Sequence, residues 1–157
     1  MASGRSSPSI SCNTRELKDF AKVLRNEVPE VAKRLRKRLR AAGMLVRDDA
    51  AKRANVIMPG NPPKVKVSIS GLRSVSVTAA RNVTNAAGEQ SPLPALNEYA
   101  PGSWKHPVYG NPAVTVSQKA TPFLYPALEA RGDDAVEMIA IALDETVEAI
   151  AYGHDDA

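Results

Sequence analysis

Two histidines, one cysteine and a few acidic pairs are the side chains of this 157-residue chain that could do bond-making chemistry. A general acid or base needs a partner that orients it, and a nucleophile needs a neighbour that activates it. His106 stands beside Trp104, Lys105, Pro107 and Tyr109 in a segment that reads as a loop, while His154 lies close to the C-terminal end. Neither has a sequence neighbour suited to hold its ring for proton transfer, so a packing or hydrogen-bonding role is expected of His106. Cys12 is the single cysteine and cannot form an internal disulfide, and with two histidines no Cys/His metal site can be assembled. Asp133-Asp134 and Asp155-Asp156 are adjacent pairs, and neighbours on a helix point apart rather than share a proton. There is no glycine-rich phosphate loop, no Gly-x-Ser-x-Gly elbow and no His-Glu-x-x-His helix. The expectation is a protein that is not an enzyme and needs no cofactor.

Charge is the informative property. Residues 1–81 carry 18 Lys and Arg against 6 Asp and Glu, or +12, and residues 82–157 carry 3 against 11, or −8, which together give the net +4. One basic and one acidic surface suit a polyanion or the stacking of copies of the chain; solvated helix faces would give the same arithmetic. The basic side is concentrated in Lys33, Arg34, Arg36, Lys37, Arg38 and Arg40, six cations within eight residues. A basic helix can meet phosphate. Without helix-turn-helix or zinc-finger spacing, or a row of aromatics for stacking bases, it would meet the backbone and not the sequence.

The elements that position these residues follow from periodicity. Leu17, Phe20, Leu24, Val28, Val31, Leu35, Leu39, Ala42 and Val46 recur at steps of three and four, which is one face of a long helix. Asn13 with Glu16 predicts an N-cap and a start near Thr14, and Pro29 predicts either a kink or a junction of two helices near Val28. Residues 58–63 break regular structure. Val65, Val67 and Ile69, then Val75 and Val77, alternate with polar residues about Ser70-Gly71, which predicts a β-hairpin with one buried face. Short strands are expected at 96–99 and 113–117.

A final helix carries Leu128, Val136, Ile139, Leu143, Val147 and Ile150 on one stripe, with Gly132 marking a close approach or a break. Its outer face carries Glu129, Asp133, Asp134, Glu137, Asp144, Glu145 and Glu148 against Arg131 alone. The expected fold is α+β, a long N-terminal helix and a C-terminal helix packed on a small, mostly antiparallel sheet. Residues 1–12 are expected to be a flexible arm and 13–157 a single domain. No run is long and apolar enough for a membrane span, no secretory signal opens the chain, and the lone cysteine fits a reducing cytoplasm.

The stretch Ala95-Leu-Asn-Glu-Tyr-Ala-Pro-Gly-Ser-Trp-Lys-His-Pro-Val-Tyr-Gly-Asn111, followed by Thr121-Pro-Phe-Leu-Tyr-Pro-Ala-Leu-Glu129 and an amphipathic helix, resembles the gp-ten-like tail-component family of long-tailed bacteriophages. The specific part is 104–129; the Lys/Arg-rich helix before a small sheet matches in outline. The resemblance implies a structural subunit of the head-to-tail connector, or neck. Such a subunit forms a ring of six copies between the capsid portal side and the tail tube, with DNA passing through. Its partners would be copies of itself, neighbouring neck proteins and the tail tube protein, in a virion assembled in the host cytoplasm. The family brings no catalytic residues. On this reading the basic run 33–40 faces an interface or DNA, and Asp133, Asp134, Glu137, Asp144, Glu145 and Glu148 form an acidic interface helix. Trp104, His106, Pro107 and Tyr109 anchor an interface loop, aromatic anchors being suited to an interface centre. The alternative is a small basic DNA-binding or packaging protein without sequence specificity.

Overall fold

A computed structural model describes residues 9–11, 15–85, 88–108 and 111–152. Strand β1 (Ser9–Ser11) is followed by helices α1 (Arg15–Glu27) and α2 (Pro29–Ile57), which meet at Val28. Proline at the first position of α2 needs no hydrogen-bond donor there, so the chain turns and restarts instead of kinking. The expected N-cap Asn13 and the expected start at Thr14 lie outside the described residues.

Strands β2 (Val65–Ser70) and β3 (Ser74–Ala79) form the expected hairpin, with Val67 opposite Val77 and Ser70 opposite Ser74. Its turn is closed by the Arg73 amide donating to the Ser70 carbonyl at 3.0 Å, and Gly71 and Leu72 both adopt left-handed backbone (φ 59° and 61°). Leu72 accepts that conformation, mildly costly for a branched side chain, while its side chain is buried in the core. β1 pairs antiparallel with β3, giving the order β1-β3-β2. The N-terminal arm is thus in part a sheet strand, because β3 would otherwise leave one ladder of backbone groups unpaired.

After the two-residue strands β4 (Val83–Thr84) and β5 (Gln90–Ser91) comes a short helix, α3 (Leu93–Tyr99). The strand expected at 96–99 is therefore incorrect. Pro94 sits in the first turn of α3, where it is tolerated, and the side chains of Asn97 and Glu98 are committed to tertiary contacts described below. Strands β6 (Ser103–Val108) and β7 (Asn111–Lys119) form a second hairpin, and α4 (Leu124–Ala151) closes the chain. The strand expected at 113–117 lies within β7.

Two apolar clusters make the core. One joins Ala42, Val46, Ala50 and Ala54 of α2 to Val77, Phe123, Leu124, Ala127 and Ala135. The other joins Ala21 and Leu24 of α1 to Val31, Leu35, Leu39, Leu72, Val75 and Ala142. The first half of α2 therefore meets the last half of α4, so the two long helices run antiparallel. The hairpin's apolar face is covered: Val75 and Val77 are buried, and Val65, Val67 and Ile69 pack partly against the same clusters. The fold is α+β, long helices on small antiparallel sheets, as the periodicities require.

Gly43 of α2 sets the helix-to-sheet distance. A Cβ there would lie 2.7 Å from methyl carbons of both Val67 and Val75. Gly132, by contrast, meets only Leu128 of its own helix, at 3.6 Å, and α4 runs through it without a break.

On α4 the observed core face differs from the expected stripe. Leu128, Ile139 and Leu143 pack partly against the core, but the residues facing α2 most closely are Ala127, Ala135, Ala142 and Thr146. Val136, Val147 and Ile150 are turned to solvent at 51%, 54% and 42% exposure. Small residues let two helices approach closely, and the larger aliphatics, roughly 100° further round the helix, are left outside.

Candidate interaction surfaces

Three surfaces collect the residues with functional potential. On α2 the run Lys33, Arg34, Arg36, Lys37, Arg38 and Arg40 is exposed along its whole length, because Val31, Leu35 and Leu39 use the buried face. The basic and acidic halves of the chain touch within one molecule at one edge: Arg38 pairs with Glu145 of α4 at 3.3 Å, both side chains about half exposed. Lys33 pairs with Glu30 one turn back at 2.6 Å. A groove of about 550 Å³ runs between the two helices here, with Val31, Leu35, Ala142 and Ala149 beside Arg34, Lys37 and Arg38.

On α4 the expected acidic residues Asp133, Asp134, Glu137, Asp144, Glu145 and Glu148 are all exposed. Asp134 is joined to Arg131 at 3.4 Å. The acids spread round the solvent side of α4: an exposed apolar stripe of Tyr125, Val136, Val147 and Ile150 borders the core face on one side, and Glu145, paired with Arg38, borders it on the other.

The Trp104 segment is strand, not loop. Trp104 pairs with Gln118, His106 with Val116 and Pro107 with Thr115, and the ladder breaks between Pro107 and Val108. Tyr109 lies outside the described residues. Trp104 and His106, two apart, share one face of the ribbon, with ring centroids 5.0 Å apart and planes at 43°. The His106 ring Nδ1 lies 2.9 Å from the Pro107 carbonyl oxygen, so that nitrogen is engaged with its own strand. Val116 lies on the same face as the two rings, and Val114 two residues on; they are 42% and 49% exposed. The indole Nε1 of Trp104 is shielded from solvent without an acceptor among the described residues. Extensive contacts of this hairpin are between its own strands, and it forms no comparable interface with another element.

Sequence reasoning did not reveal what ties the hairpin's base to α4. Glu98 of α3 accepts hydrogen bonds from the first backbone amides of that helix: Oε2 from Phe123 (2.8 Å) and Leu124 (2.9 Å), and Oε1 from Tyr125 (3.0 Å). A carboxylate from a distant element thus satisfies the orphan donors and complements the helix dipole. Buried Asn97 donates to the Leu93 carbonyl (3.1 Å) and accepts from the Thr121 amide (3.3 Å). The signal available was an Asn-Glu pair followed, beyond a hairpin, by a helix start with no Ser, Thr, Asp or Asn at its cap position Phe123.

Among the described residues, no three or more His, Cys, Asp or Glu are grouped to hold a metal ion, and no helix is long and apolar enough to cross a membrane. Comparison of the chain with protein-family models, curated proteins and solved structures finds no match.

Proposed function

We propose that the chain is a structural subunit of a phage head-to-tail connector, a tail-completion or terminator-type ring of six copies through which DNA passes. The observation that carries this reading is the amount of interaction-ready surface on so small a fold. The β6–β7 hairpin exposes Val108, Val114 and Val116, and α4 exposes Tyr125, Val136, Val147 and Ile150, beside a basic and an acidic face. Exposed apolar side chains grouped on one element in this way suit an interaction surface. Unlike patches on one chain suit the head-to-tail contacts from which rings are built. The resemblance supplies the setting and the number six. Its two quoted segments touch through the hydrogen bonds of Asn97 and Glu98 to the backbone of Thr121, Phe123 and Leu124, which gives their co-occurrence a structural reason.

The basic run on α2 favours contact with DNA as a second reading, that of a small basic DNA-binding or packaging protein. Quantitative peptide mass spectrometry of purified particles separates the two. A ring component should appear at about six copies per virion, as a closed ring requires. A stoichiometry in the hundreds, or absence from the mature particle, would favour the packaging protein.

A further inference from the structure

We infer that the β6–β7 hairpin of one copy is seated on the exposed α4 stripe of the next copy, a plug and socket carried on the same chain. The inference rests on the self-assembly part of the reading above and names its interface. Each half is incomplete alone. The hairpin is a two-stranded ribbon, a structure only marginally stable in water without something packed on one face. One face carries Trp104, His106, Val114 and Val116 with Gln118 at its edge, and Lys105, Ser117 and Lys119 lie on the opposite face. The socket follows one side of α4: Tyr125, Val136 and Val147 are eleven residues apart, about three helical turns, Ile150 extends the line by about one turn, and the exposed Glu129 sits between Tyr125 and Val136.

Charge selects the occupant. The hairpin region, residues 101–119, contains Lys105, Lys119 and His106 and no Asp or Glu, whereas α4 carries seven acids against one arginine. Two sockets or two plugs would repel, while a plug and a socket attract. The lysines lie on the hairpin's solvent side, so they steer the approach, and apolar burial holds the contact. Because the two patches are unlike, the contact is heterologous and propagates until the rotation closes it. The α2 groove is a poorer seat for this hairpin, since Arg34, Lys37 and Arg38 border it.

The test uses the full chain with Cys12→Ser, so that introduced cysteines react alone. Val116→Cys marks the plug, Val147→Cys the socket, and Val56→Cys an unrelated site that is 80% exposed at the far end of α2. With a short bismaleimide, a Val116→Cys and Val147→Cys mixture should give a covalent dimer at least several-fold above either protein alone and above the Val116→Cys and Val56→Cys mixture. The double variant should give a ladder of higher species. Lys105→Glu with Lys119→Glu should slow the trapping. Oligomers or virion rings without the 116–147 product would overturn the plug and socket while leaving the ring reading intact. A 116–147 product whose ladder never closes would keep the interface and remove the closed ring. No product above the Val56 control at high protein concentration, with the chain monomeric, would overturn the inference outright.

Discussion

At the scale of single residues, Glu98, Gly43 and Gly132 separate what the fold needs from what it tolerates. Glu98→Ala leaves three α4 amides without their carboxylate, and hydrogen bonds to charged groups are each worth about 1.5–3 kcal/mol. Water replaces part of that at the half-exposed site, so a loss of about 2 kcal/mol in chemical denaturation is expected, falling mainly on α4. Gly43→Ala forces a methyl against Val67 and Val75 and should cost about 1–3 kcal/mol. Gly132→Ala meets only ordinary contact with Leu128 and should stabilise by about 0.5–1 kcal/mol through helix propensity. Paired thermal melts check the opposite signs. The sequence alone drew attention to Gly132, which shares a stripe with Leu128 and Val136. Gly43 was invisible there because its reason is the sheet packed across it, a tertiary neighbour that no local pattern encodes.

At the scale of elements, what could be read and what could not divide along the same line. The α2 stripe and the β2–β3 alternation were legible because each has one apolar face and a strong period. On α4 two apolar sectors lie side by side, and periodicity favours the one with larger side chains. The helix instead buries Ala127, Ala135 and Ala142, whose small size lets α2 come close. Alanine at seven- and eight-residue spacing was the signal for that packing. For α3, Leu96 to Tyr99 looks extended in isolation, and the helix is held by Asn97 and Glu98 reaching to the start of α4. The basic run lies exposed on α2, and Arg38 is partly answered by Glu145 of the same chain. Changing Arg34, Lys37 and Arg38 to Glu should leave the circular dichroism spectrum and cooperative unfolding in place, each exposed pair being worth about 0.2–1 kcal/mol. It should impair assembly or DNA retention, where the loss is multiplied by the copies in a ring. Normal particle yield and infectivity would mark the run as a solvated face.

At the scale of the whole molecule, a closed α+β core bears two surfaces it does not cover itself, on a chain whose charges are segregated. We propose that this combination serves assembly into a ring, and subunits that assemble on a docking surface can be monomeric in dilute solution. Solution size is therefore a secondary measure. The most direct measurement is a reconstruction of the virion neck with its symmetry left free and this chain traced in the map. The expected result is a single closed ring of six copies between the portal side and the tail tube, its lumen wide enough for duplex DNA. A map with the chain in no ring, or scattered as single copies on the capsid exterior, would contradict the account.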